Sequence, residues 1–108
     1  MKDNKTYIKH ILNAINQISI YTNGLDYSDF SKNHLVIDGV IRQLEIVGEA
    51  SNNLSPDFLL LHPEIDLRDA IDMRNFLVHE YFGVRTKTVW DTCQDDLPKL
   101  KEMLLTLL

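Results

Sequence analysis

Residues 34–53 read H-L-V-I-D-G-V-I-R-Q-L-E-I-V-G-E-A-S-N-N, and their spacing decides the fold. Leu35, Val36, Ile37, Val40, Ile41, Leu44, Ile46, Val47 and Ala50 recur at helical intervals and cover well over half of a helical wheel. An ordinary surface helix needs an apolar stripe only somewhat over ~100° wide. This segment therefore predicts a helix that buries two faces, one inside its own bundle and one against a further partner. A second copy of the chain is the simplest such partner. Gly48 lies within the stripe and would let another helix approach closely, at a cost of roughly 1 kcal/mol relative to Ala in a helix interior. The polar face carries Asp38, Glu45 and Glu49 as an acidic strip.

The same period extends outward in both directions. Upstream, Ile8, Ile11, Leu12, Ile15 and Ile18 form one stripe that ends at the turn signal Asn23-Gly24. Residues 25–33, L-D-Y-S-D-F-S-K-N, read as a polar connector. Downstream, Ser55-Pro56 and His62-Pro63 punctuate a loop with one helical turn at D-F-L-L-L. A third main helix is expected from about Asp66 to Gly83. A last helix follows through Val89, Trp90, Cys93, Leu97, Leu100, Leu104 and Leu107, with Pro98 predicting a kink. No stretch alternates as a strand would. The pattern predicts a single all-α domain over residues 1–108, an antiparallel four-helix up-and-down bundle with a short extra helical turn before the third main helix.

Composition narrows the function classes. A lone cysteine, Cys93, rules out an intramolecular disulfide framework and fits a reducing cytoplasm. No Cys/His cluster has ligand spacing, so no metal site is expected. Apolar runs of four residues or fewer are too short to span a membrane, and the start of the chain lacks the apolar core of a signal peptide. A net charge of −5 argues against broad, non-specific nucleic-acid binding, which relies on many cations on phosphate. A nucleic-acid site here must work with a few well-placed cations.

Such residues stand together in M-R-N-F-L-V-H-E-Y-F-G, residues 73–83. On a regular helix, Leu67, Ala70, Ile71, Leu77 and Val78 fall within roughly 60° of Arg74, and Tyr81 falls almost over it. A second strip, about 130° away, carries Arg68, Asp72, Asn75 and His79. Asn75 and His79 are four apart, so their side chains meet. Arg74 lies in the middle of an apolar arc, where a lone guanidinium is expensive to desolvate. It must pair with a carboxylate, snorkel, or face a solvent-filled groove. On spacing alone, a structural ion pair and a histidine at a helix C-terminus explain these residues as well as chemistry does.

Arg, four residues, His, one residue, Tyr resembles the signature of HEPN-domain ribonucleases, specifically the HepT-type toxins of two-gene toxin–antitoxin modules of type VII. I-R-Q-L-E-I-V-G-E-A-S-N-N-L (41–54) is similar to the second helix of that family, and V-W-D-T-C-Q-D-D-L-P-K-L (89–100) to its last. The resemblance implies a homodimer that places two copies of the motif in one cleft, and metal-independent endoribonuclease activity without a cofactor. It implies His79 as general acid/base, Arg74 as phosphate clamp, and Asn75 as the residue orienting His79 or the substrate. Histidine, with an ordinary pKa of about 6.5, suits proton transfer near neutrality. Arginine offers a permanent charge and a donor fork matched to phosphate. Glu45 or Glu49 could hold Arg74 or His79 in place, with Glu49 the favoured candidate. Tyr81 is the implied site of adenylylation by a cognate minimal nucleotidyltransferase antitoxin. Arg74 and His79 stand about 140° apart on a regular helix, so their convergence requires long reach, a loosened helix end or a partner subunit. The competing expectations are a non-catalytic HEPN module that binds nucleotide or protein, and a structural regulator of the transferase.

Overall fold

The computed structural model of the protein describes residues 3–65 and 86–108. Every regular element among them is helical, and the chain is an all-α helical bundle. The first helix, α1 (Asn4–Thr22), opens where the Asp3 carboxylate accepts from the Thr6 N–H at 2.9 Å. Such a cap contributes about 0.5–2 kcal/mol. The helix ends at the expected turn, where Gly24 takes φ +79°, a left-handed conformation open to glycine without a Cβ clash.

The expected second segment is the helix α3 (His34–Asn52). The two ends of α1 show that it runs antiparallel to α3. Near the end of α1, Tyr21 lies against the start of α3, where a Cβ on Gly39 would come within 3.3 Å of its ring. At the beginning of α1, Asn4 exchanges two 2.9 Å hydrogen bonds with Ser55, just beyond the end of α3. Ile8, Ile11, Leu12, Ile15 and Ile18 are all buried, as are Val40, Ile41, Leu44, Val47 and Ala50 opposite them. Gly48 is buried too. The arc buried on α3 is about 180° wide; Val36 and Ile37 lie within it near the start of the helix and Ile46 at its margin, all three half-buried against the core. Leu35 stays 85% exposed.

Between these helices the structure departs from the sequence reading. The supposed connector contains the helix α2 (Tyr27–Lys32). Its N-terminus is a reciprocal capping box: Asp26 accepts from the Asp29 N–H at 2.8 Å, and Asp29 accepts from the Asp26 N–H at 3.5 Å. One side chain anchors it. Phe30 is fully buried, 5.0 Å from the Trp90 ring centroid, and α2 packs on both α3 and the later helix α5 (Thr86–Asp91). The turn expected at D-F-L-L-L is α4 (Pro56–Leu61), capped by Ser55 and held by buried Phe58. Leu60 and Leu61 are 78% and 76% exposed.

The third main helix expected from Asp66 to Gly83 lies outside the described residues. The last helix comprises α5 (Thr86–Asp91), a π-helical turn (Thr92–Asp96) and α6 (Leu97–Leu105). Pro98 accounts for the interruption. It brings no N–H to the ladder, and the Leu97 N–H donates instead to the Thr92 carbonyl five residues back. The disturbance expected at Pro98 thus takes the form of a π turn just ahead of it. No described helix is long and apolar enough to cross a membrane.

Cys93 sits in that π turn, buried, beside a cavity of about 140 Å³ between α1 and α6. Burial pushes its thiol from an ordinary 9.0 up to about 12. The reactive thiolate is therefore suppressed in the native state. At pH 8, Cys93 should resist a thiol-specific reagent in the folded chain and react within minutes in denaturant. The linkage has one sign: a raised pKa means the unfolded chain ionises first. The stabilisation is complete below about pH 9 and is lost as pH rises toward 12. Rapid native labelling at pH 8 would contradict this burial.

Candidate active site

The four motif residues Arg74, Asn75, His79 and Tyr81 lie outside the described residues. What the structure describes is the frame on either side of them. Upstream, α4 leads to Ile65, which is buried. Downstream, α5 begins at Thr86, so five residues lie between Tyr81 and Lys87, and the six steps of chain reach no more than about 22 Å.

The acidic face of α3 is present but is not purely acidic. Asp38, Arg42, Glu45 and Glu49 fall within about 60° of one another on the helix. Asp38, Arg42 and Glu49 are exposed and Glu45 half-buried. Arg42 Nη1 lies 3.5 Å from Glu45 Oε2, an exposed i,i+3 pair of the kind that adds little stability. Sequence reasoning named the three carboxylates and passed over the cation among them. Arg42 thus gives Glu45 a partner on the surface of its own helix. Asn53 Nδ2 donates to the Glu49 backbone carbonyl at 2.8 Å and finishes the helix.

The remaining histidines are not all plain surface residues. His34 is exposed at the start of α3. His10 meets Tyr7 edge-on at 6.2 Å. His62 is half-buried, its ring 4.7 Å from that of Phe58 and its Nδ1 3.3 Å from Glu64 Oε1. Among the described residues no group of His, Cys, Asp and Glu could hold a metal ion.

At the other edge of the frame, α2 and α5 bring together Tyr27, Phe30 and Trp90. Tyr27 and Trp90 are half-buried, with ring centroids 6.2 Å apart. Lys87 Nζ sits 4.9 Å from the Tyr27 ring centroid and 3.0 Å from Asp91 Oδ1. The sequence reading passed over this cluster, because Tyr27 and Phe30 were assigned to a connector.

The model of the family described as ribonuclease HepT-like matches residues 11–107, most of the chain and the whole motif. This chain belongs to the HepT-like ribonuclease family. The HepT-like chain is 42% identical over 100 residues to "Probable ribonuclease HepT" of Thermococcus cleftensis, covering 93% of this chain and 91% of that one. It is 35% identical over 101 residues to "Putative RNase MJ1380" of Methanocaldococcus jannaschii, covering 94% and 93%. No solved structure matches it.

Proposed function

We propose that this HepT-like chain is a metal-independent endoribonuclease, the toxin half of a two-gene module of type VII, acting at a cleft between two copies of itself. The observation that carries the reading is the family match over residues 11–107, which encloses R-N-F-L-V-H-E-Y intact. The chemistry suits those residues. His79 takes the proton from a ribose 2′-hydroxyl, whose oxygen attacks the adjacent phosphorus. The bond from phosphorus to the 5′-oxygen breaks, and that oxygen receives a proton from the imidazole of the second copy. Arg74 holds the non-bridging oxygens, where charge builds in the transition state. Asn75 orients His79, and Glu49 on α3 steadies the cation or the ring.

Dividing base and acid between two subunits also relieves the 140° separation on one helix, noted above. Tyr81 is the regulatory position. A nucleotide added there by the cognate nucleotidyltransferase antitoxin would place phosphate charge beside Arg74, occupy it and repel RNA. A second reading draws on the net charge of −5, which suits a HEPN module that binds nucleotide or protein without cutting RNA.

Purified protein should shorten single-stranded RNA in the presence of a chelator, and should sediment as a dimer at micromolar concentration. RNA left intact by a folded, dimeric preparation would favour the binding module.

A further inference from the structure

We propose that Tyr27 on α2 and Lys87 on α5 form a nucleotide-holding subsite, in which the tyrosine ring stacks on a base of single-stranded RNA and the ammonium binds an adjacent phosphate. The inference rests on the ribonuclease reading and deepens it by naming where the substrate strand lies outside the motif.

Three observations meet here. First, an aromatic ring and an exposed cation meet at the surface: Lys87 Nζ lies over the partly buried Tyr27 ring, 4.9 Å from its centroid, and the Lys87 side chain is 61% exposed, so the ammonium can swing to a phosphate and uncover the ring for a base. Aromatic platforms flanked by cations are the usual means of binding single strands, because every base has a π-face and every linkage a charge. Second, the platform is rigidly backed. Trp90 lies 6.2 Å from Tyr27 and 5.0 Å from the fully buried Phe30, so the ring is held by the core and needs little ordering on binding. Third, the short chain between Tyr81 and Lys87 keeps their backbones within about 22 Å of each other, the span of a few nucleotides.

The nearby carboxylates do not exclude a polyanion. Asp26 and Asp29 are turned onto the backbone N–H groups at the start of α2. Asp91 pairs with Lys87 at 3.0 Å, but the pair is exposed on both sides and a phosphate can replace it at small cost.

The test uses the full-length chain and a labelled single-stranded oligonucleotide with 2′-O-methyl riboses, which the proposed chemistry cannot cut. Binding is followed by fluorescence anisotropy against salt. Tyr27→Ala should weaken binding about fivefold or more, and Tyr27→Phe should keep it. Lys87→Ala should weaken binding and lower the log–log salt slope by about 0.7. Lys99→Ala, an exposed charge of the same sign on α6, should change neither. With cleavable RNA the first and third variants should raise KM by more than they lower kcat. Cleavage at wild-type KM by Tyr27→Ala and Lys87→Ala would overturn the subsite and leave the ribonuclease reading intact. So would losses matched by Lys99→Ala, which mark diffuse electrostatics. Binding that depends on Tyr27 and Lys87 in a protein that never cuts RNA would uphold the subsite and remove the catalytic reading. A wild-type chain that does not bind the oligonucleotide overturns the subsite outright.

Discussion

His79→Ala should reduce the rate of RNA cleavage by about 10²–10⁴-fold, the usual contribution of a positioned acid–base group. Arg74→Ala should cost about 10²–10³-fold, as when one charge-stabilising donor is removed from a reacting centre. The two losses differ in character. Without the imidazole, both proton transfers fall to water. Without the guanidinium, the phosphorane forms without its fixed counter-charge, and substrate affinity falls as well. Initial rates on a fluorogenic RNA, with circular dichroism to confirm helix content, measure both effects. A His79→Ala protein within threefold of wild type would remove His79 from the chemistry.

Phe30→Ala should destabilise the fold by about 3–5 kcal/mol, the range for truncating a fully buried phenylalanine. Domains of this size have about 5–15 kcal/mol in total, so the variant stands near the threshold of unfolding. Each kcal/mol lowers Tm by roughly 4–8 °C in a chain of about a hundred residues, so a fall of 12 °C or more is expected. Two things are lost together: the ring that fills the space between α2, α3 and Trp90, and the only buried anchor of a six-residue helix. Leu35→Ala, at an 85% exposed position, is the contrasting control and should shift Tm by little. A Phe30→Ala midpoint within a few degrees of wild type would mean that α2 contributes nothing to the core.

The contrast between α3 and α2 shows what the sequence made legible. A nineteen-residue helix with an apolar residue at nearly every third or fourth place declares its period, and α1 and α3 are where that period predicts them. A six-residue helix with one buried side chain has no period to show. Its signature was instead the reciprocal pair Asp26 and Asp29 ahead of Phe30, three residues apart like the two ends of a capping box. Pro98 announced a disturbance without its form, because a proline removes one donor and leaves open how the preceding turn re-registers. The fold was thus legible wherever many residues repeat one message. At the site, the motif was legible only through family resemblance, since Arg74 and His79 carry no periodic signal. Arg42 went unremarked because a single cation among three carboxylates looks like surface. The Tyr27–Lys87 contact joins residues sixty positions apart, and no local pattern encodes such a pair.

The most direct measurement is the chemistry of the ends that wild-type protein leaves on RNA cut in the presence of a chelator. Attack by the 2′-oxygen, driven by imidazole and guanidinium alone, predicts fragments ending in 2′,3′-cyclic phosphate, with free 5′-hydroxyls on their neighbours. It also predicts no cut at a linkage whose upstream ribose is 2′-deoxy. Fragments with 5′-phosphate and 3′-hydroxyl ends, or cleavage at the deoxy linkage, would show that water and not the ribose is the nucleophile, and would contradict the account.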